Sequence, residues 1–318
     1  MAATTEAVAD LAEPVELSFG RTIDRALVHR ASVAEVFVTD IRPAGEARFL
    51  AAAQLPLSHG YYSDHTARPA VFDPLLVLEA GRQAGIAGAH LLGLPPRAMM
   101  MVASFTITLD GPLLAGHLPG ELRIDNRFDA RRTRGGRVRT GSVTQDLVLD
   151  GEPAGVHTME VNVVTPGEHE ALRRLMRGTP APSTRDLGDP EGVSRALPHE
   201  VGRSNPLNVV VADVERAPRR ARALVAPSFA NRSLFDHEYD HLPATTLAEA
   251  ARQLAVVLAG DEAVPYEVSG RFLRFAELDL PCVAEAEAGP GGAVEVRFAQ
   301  GDGIVAEMRL RLSGEAGR

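Results

Sequence analysis

A carboxylate, a guanidinium and a carboxamide recur at the same helical spacing in two distant parts of the chain. The six residues are Glu79, Arg82 and Gln83 in the first set and Glu249, Arg252 and Gln253 in the second. Positions i, i+3 and i+4 lie on one face of a helix, so each set presents its side chains together. A carboxylate can accept a proton, and an arginine beside it can bind a phosphate or another oxyanion. The pattern therefore predicts two related sites for acid–base chemistry and anion binding.

The helix that carries the first set is apolar nearly all round. Residues 75–92 read LLVLEAGRQAGIAGAHLL, in which His90 is the only strongly polar residue outside the set. Such a helix is expected to be buried. The alternative is a Glu–Arg pair on a solvated face, which stabilises a helix by only about 0.2–0.5 kcal/mol. Because no charged stripe surrounds the set and burying charge is costly, the pattern favours a functional site.

A loop rich in histidine and aspartate precedes the second helix. Its sequence DHEYDHLP places His237 and His241 on either side of Asp240. No third ligand has convincing spacing, so a metal site is not predicted. One interpretation is a histidine that acts as an acid, a base or a substrate donor; the other is a histidine hydrogen-bonded within the loop. His59 and His65, in the loop before the first helix, allow the same two interpretations.

Composition excludes several classes of function. The chain has 318 residues, of which 45% are hydrophobic and 24% charged, as in a globular protein long enough for two domains. Every basic residue is an arginine, which excludes a Schiff-base lysine and a Walker A phosphate loop. No GxGxxG follows a strand, so no dinucleotide cofactor is predicted. The single cysteine, Cys282, excludes an internal disulfide and is expected to be a packed core thiol.

Charge and hydropathy limit the partners. The net charge of −9 does not favour nucleic acid. No apolar run reaches the length of about 20 residues that spans a membrane, and the first residues lack the basic and apolar regions of a signal peptide. We therefore expect a cytoplasmic protein without a nucleic-acid or membrane partner.

Alternating apolar and polar residues predict strands on both sides of the first helix. Strands are expected over 34–43 and 47–56, followed by a polar, aromatic loop over 58–74. Asp73 and Pro74 then supply an N-cap and a first-turn proline for the helix. Four further strand segments follow the helix, separated by turns rich in glycine and aspartate.

The second half of the chain repeats this order. The run LNVVVAD, which starts at Leu207, matches AEVFVTD, which starts at Ala34. The loop before the second helix is slightly shorter than its counterpart, which accounts for the closer spacing of the two helices. We also match Phe275 to Phe105, which places FLRFAELDL in the first strand after the second helix. A consistent order with one explained gap indicates duplication.

The repeat divides the chain into four parts. The predicted divisions are a lead-in over 1–20, a first domain over 21–166, a short helix and linker over 167–198, and a second domain over 199–318.

A long apolar helix wrapped by an antiparallel sheet is the hotdog arrangement. The predicted fold is therefore α+β, a tandem (double) hotdog in which each half wraps its own helix. The interface between the halves is the natural place for a pocket. Each helix N-terminus there offers free N–H groups to a carbonyl or an anion.

Six longer runs of sequence carry a family resemblance. They are VHRASVAEVFVTD, SHGYYSD, DPLLVLEAGRQAGIAGAH, GRSNPLNVVV, and FDHEYDHLP with AEAARQLA. Together they resemble the A-factor biosynthesis (AfsA-like) family of γ-butyrolactone synthesis, from about Val28 to Leu280. The paired E-x-x-R-Q helices and the DHxxDHxP loop are the specific parts. The Pro-Gly that the family has before the second helix is Pro243-Ala244 here.

The resemblance implies an acyltransferase. Such an enzyme moves a β-ketoacyl group from an acyl carrier protein thioester to the hydroxyl of dihydroxyacetone phosphate, on the way to a butenolide signalling precursor. The reaction calls for a base, a cation for the phosphate and donors for the thioester oxygen, and for no metal or redox cofactor. The chain is expected to act as a monomer or a homodimer.

Roles are assigned to the candidate residues as hypotheses. Glu79 or Glu249 accepts the hydroxyl proton, and His237 orients the substrate or protonates the leaving thiolate. Backbone N–H groups around Leu75 or Thr245 polarise the thioester carbonyl. The predicted substrate-binding residues are Arg82, Arg252, Gln83, Gln253, Asp240 and His241.

Two other classes of function stay open. A hotdog β-hydroxyacyl dehydratase or a thioesterase would also use a carboxylate on the long helix, and the acceptor group distinguishes them from the transferase. A non-catalytic protein that binds an acyl or butyrolactone ligand is the second alternative. The arginine in each helix favours an anionic acceptor, which a dehydratase does not need.

Overall fold

A computed structural model describes residues 16–133, 136–260 and 264–313. In these ranges the chain folds into twelve β-strands and three α-helices. The helices are α1 (Pro74–Leu91), α2 (Pro166–Arg177) and α3 (Ala244–Ala259). The strands are β1 (Val38–Gly45), β2 (Arg48–Leu55), β3 (Met99–Leu109), β4 (Gly120–Arg132), β5 (Val138–Leu149), β6 (Glu152–Val164), β7 (Val211–Ala217), β8 (Arg220–Val225), β9 (Val264–Phe272), β10 (Val283–Ala288), β11 (Ala293–Gln300) and β12 (Gly303–Ser313).

One antiparallel sheet contains all these strands, in the order β1-β2-β4-β5-β6-β3-β9-β12-β11-β10-β8-β7. When β1 to β6 are matched in chain order to β7 to β12, the strand order reads the same from either end of the sheet. β3 and β9 join the halves, with Phe105 opposite Gly270. Each half wraps one long helix, as the alternation of apolar residues along its strands requires. The tandem hotdog predicted from the sequence is confirmed.

Helices α1 and α3 begin in different ways. Asp73 caps α1 by accepting a hydrogen bond from the N–H of Leu75 at 2.8 Å, and Pro74 occupies the first turn. The cap predicted for α1 is therefore confirmed. The residue before α3 is Pro243, and no side chain caps that helix. The first N–H groups of α3 thus lack the side-chain acceptor that those of α1 have.

The second half departs from the predicted elements at one strand. Phe275 does not lie in a strand: it follows β9, in an irregular segment that runs to β10. The match of Phe275 to Phe105 was therefore wrong. The true counterpart of β3 is β9, which starts soon after the end of α3, so the spacing that relates the two helices misses it. The connection from α3 to β9 is shorter than the connection from α1 to β3. A fixed sequence offset between the halves therefore does not match these two strands.

The segments outside the two wrapped helices follow the sequence in part. The predicted short helix is α2, with Thr165 and Glu168 forming a capping box. The predicted linker has no helix or strand of its own from residue 178 to residue 197, apart from an isolated bridge between Arg195 and Ala212. Most of the predicted lead-in lies outside the described residues.

Cys282 is buried in the core, as expected from its position beside a proline. Burial raises the pKa of its thiol to about 12. Such a thiol is a poor nucleophile at neutral pH. In the described ranges, no helix combines the length and apolar character needed to cross a membrane.

Two glycines of α1 should respond oppositely to alanine. A Cβ at Gly88 would lie 1.9 Å from Cζ of the buried Phe49, whereas a Cβ at Gly85 would meet Cγ1 of Val143 at an ordinary 3.5 Å. Gly88→Ala is expected to lower the free energy of unfolding by about 1–3 kcal/mol through overpacking. Gly85→Ala is expected to raise it by up to about 1 kcal/mol because alanine favours helix. Urea unfolding measures both; equal effects would contradict the packing.

Candidate active site

The two halves place one large cavity and one closed position at equivalent points. The cavity has a volume of about 860 Å³ and is lined by Arg82 of α1 and by the first residues of α3. The equivalent position is lined by Arg252 of α3 and by Asp73 and Pro74 at the start of α1, and holds only about 20 Å³. The duplicated sites have therefore diverged, and of the two only the one beside Arg82 has room for a substrate.

Glu79 lies at the centre of a buried cluster behind the cavity. Its two oxygens accept hydrogen bonds from Arg82 at 2.7 and 2.8 Å and from Arg30 at 2.6 and 3.1 Å. The side chain of Gln83 donates a further bond at 2.7 Å. Glu79 is only 1% exposed and does not line the cavity. It fixes the two arginines, and Arg82 presents its remaining guanidinium edge to the cavity.

Glu249 has the same arrangement in the other half. It accepts from Arg203 at 2.9 and 2.7 Å and from Arg252 at 2.9 and 2.7 Å. Gln253 donates at 2.6 Å, and the hydroxyl of Tyr61 donates at 3.1 Å. The spacing in the sequence thus brought together the residues of each set.

The second arginine of each cluster is not among the residues predicted from the sequence. Arg30 and Arg203 occupy equivalent positions, each shortly before the matched runs AEVFVTD and LNVVVAD. This repetition of an arginine at the same place in both halves was the signal that could have identified the pair.

Both carboxylates are held in their charged form by the arginines around them. Burial alone would raise the pKa of Glu79, but Arg30 and Arg82 outweigh it and lower the pKa to about 2. Burial also opposes ionisation of Glu249, and Arg203 and Arg252 lower its pKa well below the usual range. Each carboxylate is enclosed by two arginines and a glutamine, and Glu79 does not line the cavity. The role of base stays a prediction for both residues, and these contacts favour an anchoring role.

Stability should fall in acid because of these carboxylates. The pKa of Glu79 is lowered in the folded state, from 4.5 to about 2, so its contribution is complete above pH 4.5 and disappears as the pH falls towards 2. We expect a loss of about 3 kcal/mol from this residue across that window. Urea unfolding followed by circular dichroism at pH 7, 5, 4, 3 and 2 measures it. Glu79→Gln, which cannot titrate, should show a smaller loss; an equal loss would contradict the assignment.

The two glutamines brace their helices against the first strand region of each half. Gln83 donates to the carbonyl oxygen of Glu35 at 2.7 Å and accepts from the N–H of Phe37 at 2.9 Å. Gln253 makes the matching bonds to Asn208 and Val210. Both amides are fully buried, and neither lines the cavity. These contacts favour the interpretation in which they complete the arginine cluster, and substrate binding by them stays untested.

The DHEYDHLP loop forms two Asp–His pairs along the cavity. Nδ1 of His237 lies 2.6 Å from Asp236, and Nδ1 of His241 lies 2.5 Å from Asp240. Each contact uses Nδ1 and leaves Nε2 as the second ring nitrogen. Asp236, which the sequence analysis did not single out, also pairs with Arg30 at 3.2 Å. The adjacency of each aspartate and histidine was the signal that could have identified both pairs.

Helix α2 supports the second of these pairs. Arg173, buried on α2, donates to Asp240 at 3.0 Å and to both oxygens of Glu277 at 2.7 Å. Its guanidinium also lies 4.3 Å from the ring centre of Phe275. Burial by itself would raise the pKa of Asp240, but His241 and Arg173 lower it well below the usual range. Asp240 is therefore a fixed, charged carboxylate that holds Nδ1 of His241.

The histidines of the first loop have different surroundings. Nε2 of His65 contacts the carbonyl oxygen of Val71 at 2.8 Å. Nδ1 of His59 accepts from the N–H groups of Tyr61 and Tyr62, both at 3.2 Å. Neither ring lines the 860 Å³ cavity. For these two, the structure favours the interpretation of a histidine hydrogen-bonded in a loop.

Much of the remaining wall of the cavity is apolar, and two further arginines line it. Residues 99–103 of β3, Phe272 of β9 and Leu247 of α3 supply the apolar surface. Arg97 and Arg274 are exposed and also line the cavity. Among the described residues, no cluster of three or more histidine, cysteine, aspartate or glutamate side chains could hold a metal. The cavity thus combines an apolar wall with positive charge and hydrogen-bonding groups.

Two long helices wrapped by the halves of one sheet define a double-hotdog protein in which one of the two duplicated sites is open. The chain belongs to the AfsA family, whose A-factor biosynthesis hotdog domain matches residues 12–165 and 185–313. The family resemblance drawn from the E-x-x-R-Q helices and the DHxxDHxP loop is confirmed.

Relatives in Streptomyces cover most of the chain. A protein of Streptomyces virginiae named 2-oxo-3-(phosphooxy)propyl 3-oxoalkanoate synthase is 31% identical over 273 residues, which are 85% of this chain and 88% of that one. A protein of the same name from Streptomyces coelicolor is 31% identical over 277 residues, which are 85% and 83% of the two chains.

A solved structure supports the fold alone. The dehydratase domain from the CurF module of the curacin polyketide synthase matches with a TM-score of 0.52 at 12% identity. The match covers 86% of this chain and 96% of that chain.

Proposed function

We propose that the protein transfers a β-ketoacyl group from an acyl carrier protein thioester to the hydroxyl of dihydroxyacetone phosphate. The name shared by its relatives describes a synthase whose product is a phosphorylated 3-oxoalkanoate ester. The observation that carries the proposal is the composition of the 860 Å³ cavity. That cavity joins an apolar wall, a helix N-terminus without a side-chain cap, a fixed arginine and two Asp–His pairs.

The N-terminus of α3 is the proposed site for the thioester carbonyl. Ala244 and Thr245 line the cavity, and no side chain caps their helix. Backbone N–H groups placed there can stabilise the negative charge that develops on the oxygen. In the closed position, Asp73 already takes the N–H of Leu75. Of the two helix starts considered from the sequence, the contacts favour Thr245.

Arg82 is the proposed ligand of the acceptor phosphate. Its Nε and Nη2 bind Glu79, which fixes the orientation of the guanidinium. A fixed, charged donor binds phosphate without ordering a flexible side chain. Arg97 and Arg274 add positive charge along the cavity. Arg252, which faces the closed position, is assigned no substrate contact.

His237 is the proposed donor of a proton to the leaving sulfur. Asp236 holds its Nδ1, and the ring stacks on Tyr239 with centroids 4.2 Å apart. Burial alone would raise the pKa of Asp236, but His237 and Arg30 lower it to about 2, so the carboxylate stays charged beside the imidazole. His241 and Asp240 are the proposed substrate-positioning pair beside the start of α3. The acyl tail is placed along residues 99–103 of β3.

A mass-spectrometric assay tests the proposed function. Purified protein is mixed with a β-ketoacyl thioester on carrier protein or pantetheine, with and without dihydroxyacetone phosphate. A phosphorylated ester, or the butenolide formed from it, is expected only when the acceptor is present. Free acid formed equally fast without the acceptor would identify a thioesterase. Loss of water from a β-hydroxyacyl thioester, with no transfer, would identify a dehydratase.

A further inference from the structure

Two histidines of the first half make a direct contact at the wall of the cavity. Nε2 of His29 lies 2.8 Å from Nε2 of His90, and the rings are 5.0 Å apart. His29 lines the cavity, whereas His90 lies behind it in the last turn of α1 and is not part of the lining. The acyl-transfer roles assigned above use neither residue.

The hydrogen bonds determine which ring nitrogen carries each proton. Nδ1 of His90 lies 3.0 Å from the carbonyl oxygen of Leu94, which can only accept, so this nitrogen bears the hydrogen. In a neutral His90, Nε2 is then an acceptor, and the contact of 2.8 Å requires His29 to donate from its own Nε2. Nδ1 of His29 is left with a lone pair, and no partner for it exists among the described residues.

The electrostatic surroundings keep His29 neutral. Burial is the largest cause that lowers its pKa, and His90, Arg82 and His237 add to it, giving a value of about 4. His237 on the same cavity has a carboxylate partner instead.

Comparison of the two halves shows that this pair belongs to the open site alone. Matching Arg30 to Arg203 places Gly202 at the position of His29, and aligning the E-x-x-R-Q helices places Gly260 at that of His90. His29 has φ of 55° and Gly202 has φ of 70°, so both lie in the left-handed region that glycine adopts more easily. The first half therefore has His29 at a backbone position that favours glycine, and this histidine lines the cavity.

We propose that His29 is the general base of the transfer and that His90 receives its second proton. The hydroxyl O–H bond breaks, and its proton passes to Nδ1 of His29 while the Nε2 proton of His29 passes to Nε2 of His90. The alkoxide oxygen attacks the thioester carbon, the C–S bond breaks, and the sulfur takes a proton from His237. The positive charge ends on His90. To restore the starting state, Nε2 of His90 returns its proton to Nε2 of His29 while Nδ1 of His29 releases a proton to water, and His237 is reprotonated from water.

The position of His90 suits it to hold that charge. It lies at the C-terminal end of α1, where the helix dipole stabilises a cation. Its Nδ1–H donates a hydrogen bond to the carbonyl oxygen of Leu94 throughout. The other charged or titratable groups that face His29 are Arg82 of α1 and His237 of the loop, and both disfavour a charge left on His29 itself. Passing the proton on removes that repulsion.

Side-chain NMR tests the protonation pattern without substrate. Long-range ¹H–¹⁵N correlation at neutral pH should show His29 protonated at Nε2 only and His90 protonated at Nδ1 only. The His29→Gln and His90→Gln variants assign the signals. A proton on Nδ1 of His29, or on both of its nitrogens, would overturn the relay.

Kinetics test the role in turnover, which rests on the proposed function. His29→Gln is expected to lower kcat by about 10²- to 10³-fold with little change in KM for the thioester. The His90→Gln side chain can still accept a hydrogen bond from Nε2–H of His29, but it cannot take the proton. The kcat of this variant should therefore fall at least about tenfold, while KM and the tautomer of His29 stay as in the wild type. Added imidazole should partly restore His29→Ala. His117→Gln, at an exposed loop position, is the control for replacing a histidine.

The outcomes separate the relay from the proposed function. A His29→Gln enzyme with kcat within twofold of the wild type would overturn the base role. A wild-type protein that makes no phosphorylated ester would overturn the proposed function instead. The NMR result decides the protonation of His29 in either case, because it requires no turnover.

Discussion

Replacing Arg82 with methionine is expected to lower kcat/KM for dihydroxyacetone phosphate by about 10²- to 10³-fold. Truncating one partner of a buried, hydrogen-bonded charge pair costs about 2–5 kcal/mol, and each 1.4 kcal/mol is a factor of about ten. Arg82 lines the cavity and is held by Glu79 through Nε and Nη2, so its free edge is the fixed positive charge of the site. Initial rates at varied acceptor concentration measure the effect.

The phosphate itself provides a sharper readout. The wild type should prefer dihydroxyacetone phosphate to dihydroxyacetone, and Arg82→Met should lose most of that preference. A general disturbance of the fold would lower the rate with both acceptors and keep their ratio.

The duplicated half supplies a matched control. Arg252 binds Glu249 with the same geometry but faces the position that holds about 20 Å³. Arg252→Met removes an equivalent guanidinium from an equivalent carboxylate, so its effect on stability should resemble that of Arg82→Met. The acceptor preference should change only in the Arg82 variant. Equal loss of preference in both variants would contradict the assignment of a single phosphate site.

Replacing Glu249 with alanine is expected to lower the free energy of unfolding by about 3–5 kcal/mol, as for other broken buried ion pairs. The change leaves Arg203, with 0% of its surface exposed, and Arg252 without their shared carboxylate. It also removes the acceptor of the Tyr61 hydroxyl. This loss is a large share of the roughly 5–15 kcal/mol that typically stabilises a domain. Urea unfolding at neutral pH measures it.

An exposed ion pair is the control for this prediction. Glu170 pairs with Arg174 at 2.6 Å on the surface of α2, with both side chains mostly exposed. Solvent screens such a pair, so Glu170→Ala should change stability very little. If Glu249→Ala were as mild as Glu170→Ala, the buried cluster would not be the anchor of its half. Glu249→Gln, which keeps the shape but removes the charge, should fall between them.

The features that the sequence determined by itself are those set by neighbouring residues. The i, i+3, i+4 spacing placed Glu79, Arg82 and Gln83 on one face because helix geometry is local. Asp73 and Pro74 marked the start of α1 for the same reason. The repeated order of strands and helices then predicted the tandem hotdog, since each half must bury its apolar helix against its own sheet.

The tertiary structure alone decided which copy of the site is open and what each polar group does. Arg30 reaches Glu79 across 49 residues of chain, and Arg203 reaches Glu249 across 46. These contacts convert both glutamates into anchored anions, and spacing along one helix cannot reveal them. The cavity opens beside Arg82 and closes beside Arg252 because the loops and helix starts that meet there differ between the halves. Such differences depend on packing between segments far apart in sequence, so only the folded chain shows them.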